Sequence, residues 1–138
     1  MASIRNEIST KARPDDAWAA LRDVGALHTR LVPGFVTGTR LEPGARIVTF
    51  GNGMVVRELI VTIDEHARRV VWSAVGGSLS HHNASAQVVA NGTGATKIVW
   101  IADLLPDAAA SAVGAMMDQG MAAMRQTLDR LAETGEKR

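Results

Sequence analysis

Apolar and polar residues alternate in a series of short segments between residue 3 and residue 104. Such alternation is typical of β-strands that turn one face toward a core and the other toward solvent. Gly, Pro, Asn and Asp residues separate the segments, and these short connections indicate consecutive antiparallel hairpins. The pattern predicts seven strands, over residues 3–12, 35–41, 45–50, 54–63, 69–75, 80–90 and 95–104.

Two parts of the chain have apolar residues at helical spacing instead. Pro14 and the two acids that follow it predict a helix start, and Gly25 ends the short apolar stripe that begins there. A second short helix is predicted through Leu27 and Leu31. From residue 107 to about residue 133 the chain predicts a long amphipathic helix. Its apolar residues are Val113, Met117, Met121, Met124, Leu128 and Leu131.

This order of elements predicts an α+β fold. A seven-stranded curved antiparallel sheet wraps around the long C-terminal helix, and two short helices follow the first strand. The length of 138 residues is that of one domain, which we place at residues 1–138 with a frayed tail at 135–138. Gly114 and Gly120 lie inside the long helix, where each costs about 1 kcal/mol of helix stability relative to Ala. They indicate that space is needed beneath the helix, or that the helix bends.

Composition removes several classes of function. The chain has no cysteine, which excludes disulfides, thiolate metal sites and thiol nucleophiles. Its net charge is +1 and no Lys/Arg cluster is interleaved with aromatic residues, so no nucleic-acid partner is expected. No apolar run reaches the ~18 residues of a membrane span and no signal-like apolar region is seen, so we expect a cytoplasmic protein. The acceptor patterns at Asn83 and Asn91 are then expected to carry no glycan.

The stretch SLSHHNASAQ, residues 78–87, contains His81 and His82 side by side. Adjacent side chains of a strand point to opposite faces, so the pair is not expected to bind a metal, and no cofactor is expected. We predict that His82 points inward and His81 outward. On the inside, His82 would be a wall residue bonded to backbone or water, or a general acid/base. The residues that share its face are small and apolar: Ala84, Ala86 and Val88.

The strand of Glu58 does not decide which way this carboxylate points, because both faces of residues 54–63 are largely apolar. An inward Glu58 needs a partner such as His82, a ligand group or water, since an uncompensated buried charge is costly. An outward Glu58 would lie beside Arg57 or Arg69 at the solvent face.

Trp72 is predicted to form an apolar wall, because Val70 and Ala74 on the same face are small. The sequence does not decide whether Trp100 points inward or outward, because apolar residues flank it on both sides. The methionines of the long helix are either plain core or, where the helix closes a cavity, adaptable side chains that suit ligands of variable shape.

Several short stretches carry a family resemblance through their order and spacing. They are residues 14–18, 43–46, 57–59 and 64–72, the Gly76-Gly77 pair, and residues 94–96 leading to Trp100 and Pro106. Together they resemble the START-like helix-grip superfamily known as SRPBCC, and most closely its polyketide cyclase/dehydrase-like branch. The resemblance covers essentially the whole chain. It implies a deep apolar cavity that holds lipids, hormones, polyketides or other hydrophobic molecules, with chemistry in only some relatives.

The resemblance also implies roles for single residues. Glu58 and Trp72 occupy positions that face the cavity in ligand-binding relatives. Ala84 stands where a relative often has a tyrosine, and this chain contains no tyrosine at all. A tyrosine-based acid/base mechanism is therefore not expected.

These observations lead us to expect a protein that binds a small hydrophobic or amphipathic molecule between the sheet and the C-terminal helix. One alternative is a polyketide cyclase/dehydratase-like enzyme in which Glu58 and His82 transfer protons. Another is a packed interaction module without a cavity, whose outer sheet face pairs two chains as a homodimer. The predicted site residues are Glu58, Trp72, His82, Ala84, Ala86, Val88, Val113, Met117 and Met121.

Overall fold

The computed structural model describes residues 1–92 and 95–136, and it contains seven strands and two α-helices in these ranges. Gly94, one of the residues that carry the resemblance, and the last two residues of the predicted frayed tail lie outside the described residues. The strands are β1 (Ala2–Thr10), β2 (Val36–Glu42), β3 (Ala45–Phe50), β4 (Val55–Asp64), β5 (Arg69–Val75), β6 (His81–Ala90) and β7 (Thr96–Leu105). The helices are α1 (Pro14–Arg22) and α2 (Ala110–Glu136).

All seven strands form one antiparallel sheet in the order β1-β7-β6-β5-β4-β3-β2. Strands that follow each other along the chain are neighbours, except that β1 returns to pair with β7. The curved sheet buries one face against α2, which is the helix-grip arrangement. The predicted α+β fold is confirmed.

A β-bulge explains why both faces of the fourth strand are apolar in the sequence. Ile60 is in register with Trp72, whereas Thr62 is in register with Val71, so Val61 is the additional residue. The bulge moves the inward face from the parity of Glu58 and Ile60 to that of Ile63, which is in register with buried Val70. Val61 itself is 56% exposed.

The two predicted short helices differ in kind. Helix α1 begins at Pro14, with Asp15 and Asp16 in the first turn, as the helix dipole favours. The second is only a single π-helical turn, Leu27–Leu31, in which the N–H of Val32 donates to the carbonyl of Leu27 at 2.8 Å.

Buried Trp18 fixes α1 to the turn between β4 and β5. Its indole Nε1 donates to Oε2 of Glu65 at 2.8 Å, and Arg22 donates to Oε1 at 2.6 Å. The hydrogen bond from Arg22, followed by that from Trp18, lowers the pKa of Glu65. Helix α1 is thereby held against the end of the sheet.

Helix α2 contacts β1 along one side. Asn6 donates to Asp118 at 2.5 Å, and the Thr10 hydroxyl donates to Asp129 at 2.6 Å. These bonds explain why Asn6 interrupts the apolar inward face of β1. They also hold α2 near the β1 edge of the sheet, while its other side faces β5 and β6.

Gly120 is where aromatic rings approach the backbone of α2. A Cβ added to Gly120 would lie 3.0 Å from both Phe35 Cε2 and Trp100 Cζ3. A Cβ at Gly114 would meet only Ile4 Cδ1, at an ordinary contact distance of 3.9 Å. Gly120 therefore makes room for rings beneath the helix, as one of the two sequence interpretations proposed.

We expect the two glycines to respond in opposite ways to Ala. Gly114→Ala should raise the free energy of unfolding by up to about 1 kcal/mol through helix propensity. Gly120→Ala should fail to do so, because the new methyl group forces Phe35 and Trp100 to move. Urea unfolding of the two variants against the unmodified protein measures this. Equal stabilisation by both would contradict the close-approach role of Gly120.

Candidate functional site

A cavity of about 390 Å³ lies between the inner face of the sheet, α2 and the π-helical turn. Its volume is within the ~300–1,000 Å³ range of small-molecule sites. Its wall is mainly aliphatic and aromatic, and the polar side chains on it are few: Arg46, Glu58, Ser78 and His82.

Six of the nine predicted site residues line this cavity, and three do not. The six are Glu58, Trp72, His82, Ala86, Val113 and Met117. The remaining three are buried in the core beside the cavity: Ala84, Val88 and Met121. Alternation and helical spacing therefore identify which residues point inward. They do not identify which of these residues border the cavity and which are packed in the core.

Met121 is displaced from the cavity by helix geometry. Four residues advance an α-helix by about 40° beyond a full turn, so Met121 is rotated from Met117 around the axis of α2. That rotation brings it toward β1, where it adjoins Asn6 and Ile8. Met124, which the prediction left out of the site, instead shares the cavity wall with Met117.

Ala84 and Val88 are covered within the sheet–helix core. Ala84 is in register with Trp72, and its methyl group is too short to extend past the neighbouring indole. Val88 is in register with fully buried Ile98 and belongs to the same core cluster as Trp18 of α1. Neither side chain is part of the cavity wall.

Glu58 points inward and pairs with Arg46. Arg46 Nε donates to Glu58 Oε1 at 2.8 Å, with the side chains only 4% and 10% exposed. Arg46 also donates from Nη1 to the Val24 carbonyl at 3.3 Å, and its guanidinium carbon lies 5.4 Å from the centre of the Trp72 ring. The outward alternative for Glu58 is wrong. Its partner is Arg46, not His82.

Arg46 is the charged residue of the cavity wall that sequence reasoning missed. It shares its face of β3 with Val48 and Phe50, which is the face of an apolar wall. It is also in register with Glu58 on the next strand. The sequence did contain a signal for an inward Arg46: this arginine lies on an otherwise apolar strand face, two strands from Trp72. Breaking such a buried pair by removing one charge typically costs about 3–5 kcal/mol.

His82 completes the pairing of β5 and β6 where their backbone ladder ends. The ladder stops at Trp72 and Ala84, and beyond it His82 Nδ1 accepts the N–H of Ala74 at 2.9 Å. The hydroxyl of Ser73 donates to the His82 carbonyl. An Nδ1 that accepts a backbone N–H carries no proton, so the neutral ring has its proton on Nε2.

The environment of His82 also favours its neutral form. Burial lowers the pKa of His82 below its usual 6.5, and the neighbouring charge of His81 lowers it further. His81 is exposed on the opposite face of β6. Glu58 on β4 and His82 on β6 flank β5 at Ala74, which is in register with Glu58 and donates its N–H to His82.

Trp100 lines the cavity, so it points inward, which the sequence alone did not decide. Its ring centre lies 5.9 Å from that of Trp72, so the two indoles form a continuous aromatic part of the wall. Its buried Nε1–H has no hydrogen-bond partner among the described residues. A buried donor without an acceptor costs about 1–3 kcal/mol.

The cavity opens between two loops and the start of α2. The loop from β5 to β6 contributes Gly77 and Leu79, the turn before β4 contributes Met54, and α2 contributes Ala112 and Met116. Met54 is 41% exposed, and Leu79 is half-buried.

Two other features are absent from residues 1–92 and 95–136. No group of three or more His, Cys, Asp or Glu side chains is placed to hold a metal ion there. In the same part of the chain, no helix is both long enough and apolar enough to cross a membrane.

We expect His82 to make folding stability depend on pH. Because its pKa is lowered in the folded state, the unfolded chain binds this proton more readily, so stability is full above pH 6.5 and falls as the pH drops below it. His82→Gln should flatten this slope in urea unfolding between about pH 7.5 and pH 5, whereas the exposed control His81→Gln should keep most of it. The same slope in both variants would contradict the buried, neutral assignment.

Solved structures of several proteins share this fold. A Bacillus cereus protein, XoxI, superposes with a TM-score of 0.83 at 14% identity, covering 93% of this chain and 96% of the other. A Thermobifida fusca protein has a TM-score of 0.75 at 26% identity, covering 96% and 93%. Norcoclaurine synthase from Thalictrum flavum, in complex with dopamine and hydroxybenzaldehyde, has a TM-score of 0.71 at 19% identity, covering 96% and 87%.

Family membership follows from the sequence comparison. No curated protein matches the chain at a significant level. Residues 1–136, almost the entire chain, match the family described as "Polyketide cyclase / dehydrase and lipid transport". A START superfamily protein from Mycobacterium smegmatis also has this fold, with a TM-score of 0.70 at 12% identity and coverage of 96% and 97%. The resemblance seen in the sequence is confirmed: the chain has the fold of a START superfamily protein, and it belongs to the polyketide cyclase/dehydrase and lipid transport family.

Proposed function

We propose that this protein binds a small hydrophobic or amphipathic molecule in the cavity between the sheet and α2. The observation that carries the proposal is the unfilled volume of about 390 Å³ with a mainly apolar wall. An empty apolar cavity lowers stability, because the side chains around it lose contacts that a filled core would provide. A ligand that occupies the space restores those contacts and removes its own apolar surface from water.

The wall combines two kinds of surface that suit such a ligand. Trp72 and Trp100 provide flat aromatic area, and Met116, Met117 and Met124 provide flexible side chains that adapt to shape. The few polar groups are the Arg46–Glu58 pair and His82. Sparse polar groups on an apolar wall orient a ligand and give specificity.

The hydrogen bonds of Glu58 and His82 favour orientation over catalysis. One oxygen of Glu58 accepts from Arg46, and Nδ1 of His82 accepts from the Ala74 backbone. A general base needs a free acceptor atom at the proton that it removes, and the single unprotonated nitrogen of His82 is already occupied by the Ala74 N–H. Glu58 is held in its ion pair with Arg46. We therefore assign them to the binding of the ligand.

The comparisons support this proposal at the level of the family. Its description includes lipid transport, and norcoclaurine synthase, which shares the fold, was solved with the small aromatic molecules dopamine and hydroxybenzaldehyde. Carried over to this chain, both point to a small apolar or aromatic ligand. The cavity volume limits the ligand to a size far below that of a diacyl lipid, unless the helix moves.

Filling the cavity with a side chain should abolish binding. We expect Nile red, a neutral environment-sensitive dye, to bind the unmodified protein saturably. Ala86→Phe and Ala74→Phe, both on the cavity wall, should weaken it at least about tenfold by occupying the space. Ala122→Phe, on the exposed side of α2, is the matched control and should leave binding unchanged.

Fluorescence titration measures the affinity, and thermal unfolding identifies the variants that remain folded. Nile red that binds equally well to a folded Ala86→Phe or Ala74→Phe variant would contradict the proposal. So would the absence of saturable binding to the unmodified protein.

A further inference from the structure

We propose that two copies of this protein associate through β1, the strand at one edge of the sheet. In this dimer the two β1 strands pair antiparallel across a two-fold axis at Asn6, and the two seven-stranded sheets become one continuous sheet. The interface lies at the edge of the sheet and not on its outer face, where one of the sequence-based alternatives placed a homodimer. The inference is independent of the proposed function.

The sequence of β1 is complementary to itself in the antiparallel direction. Residues 3–9 read Ser-Ile-Arg-Asn-Glu-Ile-Ser, which is the same in both directions except that Arg5 and Glu7 exchange places. With Asn6 opposite the partner's Asn6, each side chain meets one of the same kind or of opposite charge. The facing pairs are Ser3 with the partner's Ser9, Ile4 with the partner's Ile8, and Arg5 with the partner's Glu7. Opposite charges directly across a strand pair stabilise it, and like charges destabilise it.

The free edge of β1 presents the backbone groups of the odd-numbered residues. The N–H of Val88 donates to the carbonyl of Arg68, so even-numbered residues of β6 bond to β5 and odd-numbered ones to β7. The same alternation makes even-numbered residues of β7 and β1 bond to each other. The outward groups of β1 have no backbone partner among residues 1–92 and 95–136, and they belong to Ser3, Arg5, Glu7 and Ser9. The N–H of Lys11, the next odd-numbered residue, already donates to Asp129 at 2.8 Å, so the free stretch is residues 3–9.

The two edges of the sheet differ in their regularity. Strand β1 pairs with β7 in unbroken register over 9 residues, and it contains neither Pro nor Gly. Strand β2, the opposite edge, has a register shift between Val36 and Gly38. Irregular backbone disfavours pairing of an edge with another chain, whereas a long regular edge strand favours it. The edge with the self-complementary sequence is therefore also the edge that is open to pairing.

The side chains of this edge are placed to gain contacts on both faces of the joined sheet. On the outer face, Arg5 Nη2 lies 2.8 Å from Glu7 Oε2, and the two side chains are 58% and 39% exposed. Pairing joins this ion pair to its symmetry mate in a ring of alternating charges. On the inner face, Ile4 and Ile8 are partly buried, and an open groove of about 460 Å³ lies between β1 and α2 at Asn6 and Ile8. The partner's Ile4 enters this groove beside Ile8.

The strength of association is limited by the size of the contact. One strand pair buries little surface, so we expect a weak dimer with a Kd between about 10 and 200 μM. Sedimentation equilibrium at up to about 500 μM protein covers this range. It measures the concentration-dependent association of the 14.6 kDa chain.

Charge reversal tests the pairing of Arg5 with the partner's Glu7. Arg5→Glu and Glu7→Arg each place like charges opposite one another, so each should weaken the dimer at least about tenfold. The double variant Arg5→Glu, Glu7→Arg exchanges the charges and should return to within about threefold of the unmodified Kd. An equimolar mixture of the two single variants should form a heterodimer, because the facing charges are then opposite. Arg69→Glu, on the outer face of β5, is the matched control and should leave the dimer unchanged.

Disulfide cross-linking tests the register separately, because the chain has no cysteine of its own. A mixture of the Ser3→Cys and Ser9→Cys variants should cross-link when treated with oxidised glutathione, since the two positions face each other across the axis. Neither variant should cross-link efficiently with its own copy, because the two copies of either position are about 20 Å apart along the strands.

The outcomes decide the proposal in the following way. Unmodified protein that remains monomeric at the highest concentration would overturn it. So would a dimer that the folded single charge reversals leave unchanged, or folded single variants that do not associate when mixed. If the single variants do not fold, as circular dichroism shows, the double variant and the cysteine pair decide the question. None of these assays contains a cavity ligand, so their failure leaves the proposed function untouched.

Discussion

The ion pair of Arg46 and Glu58 is the interaction on which the interior of this protein depends. It joins β3 to β4, and through Arg46 it reaches the carbonyl of Val24 after α1 and the face of Trp72 on β5. Two charges inside an apolar cavity are tolerable only as partners. Their pairing holds two polar side chains in place on a cavity wall that otherwise has few polar groups. Arg46 and Glu58 thus serve the architecture and the site together.

The second constraint is the division of α2 into two sides. Along β1 the helix is fixed by side-chain hydrogen bonds from Asn6 and Thr10, and core side chains fill the space between helix and sheet. Toward β5 and β6 the space stays open, and the rings of Phe35 and Trp100 approach the helix at Gly120. A single helix therefore closes a packed core on one side and a cavity on the other. The unfilled side lowers stability, and in the proposed function a ligand occupies it.

Much of this arrangement could be predicted from the sequence, because the spacing of apolar residues shows which side of a regular strand or helix points inward. The alternation in β6 separated His82 from His81, and the order of turns predicted the seven-stranded sheet. Periodicity failed where the backbone departs from regular geometry. The bulge at Val61 gave β4 two apolar faces, so the direction of Glu58 could not be predicted from its strand alone.

The composition of the cavity wall was harder to predict, because it depends on packing between distant elements. Met121 and Met124 belong to one apolar stripe, yet a rotation of about 60° around α2 places only Met124 on the wall. Arg46 was missed because an arginine on a strand is ordinarily a solvent-facing residue. Its role becomes visible only when β3 and β4 are aligned and Glu58 lies in register.

Native mass spectrometry tests the central claim, that the cavity holds a small molecule, most directly. The folded protein is equilibrated with a mixture of neutral hydrophobic metabolites and transferred to the gas phase without unfolding. The account predicts a complex of one chain with one small molecule, released as the bare chain when the protein is unfolded. Only the bare chain after the same exposure, with the protein still folded, would contradict it.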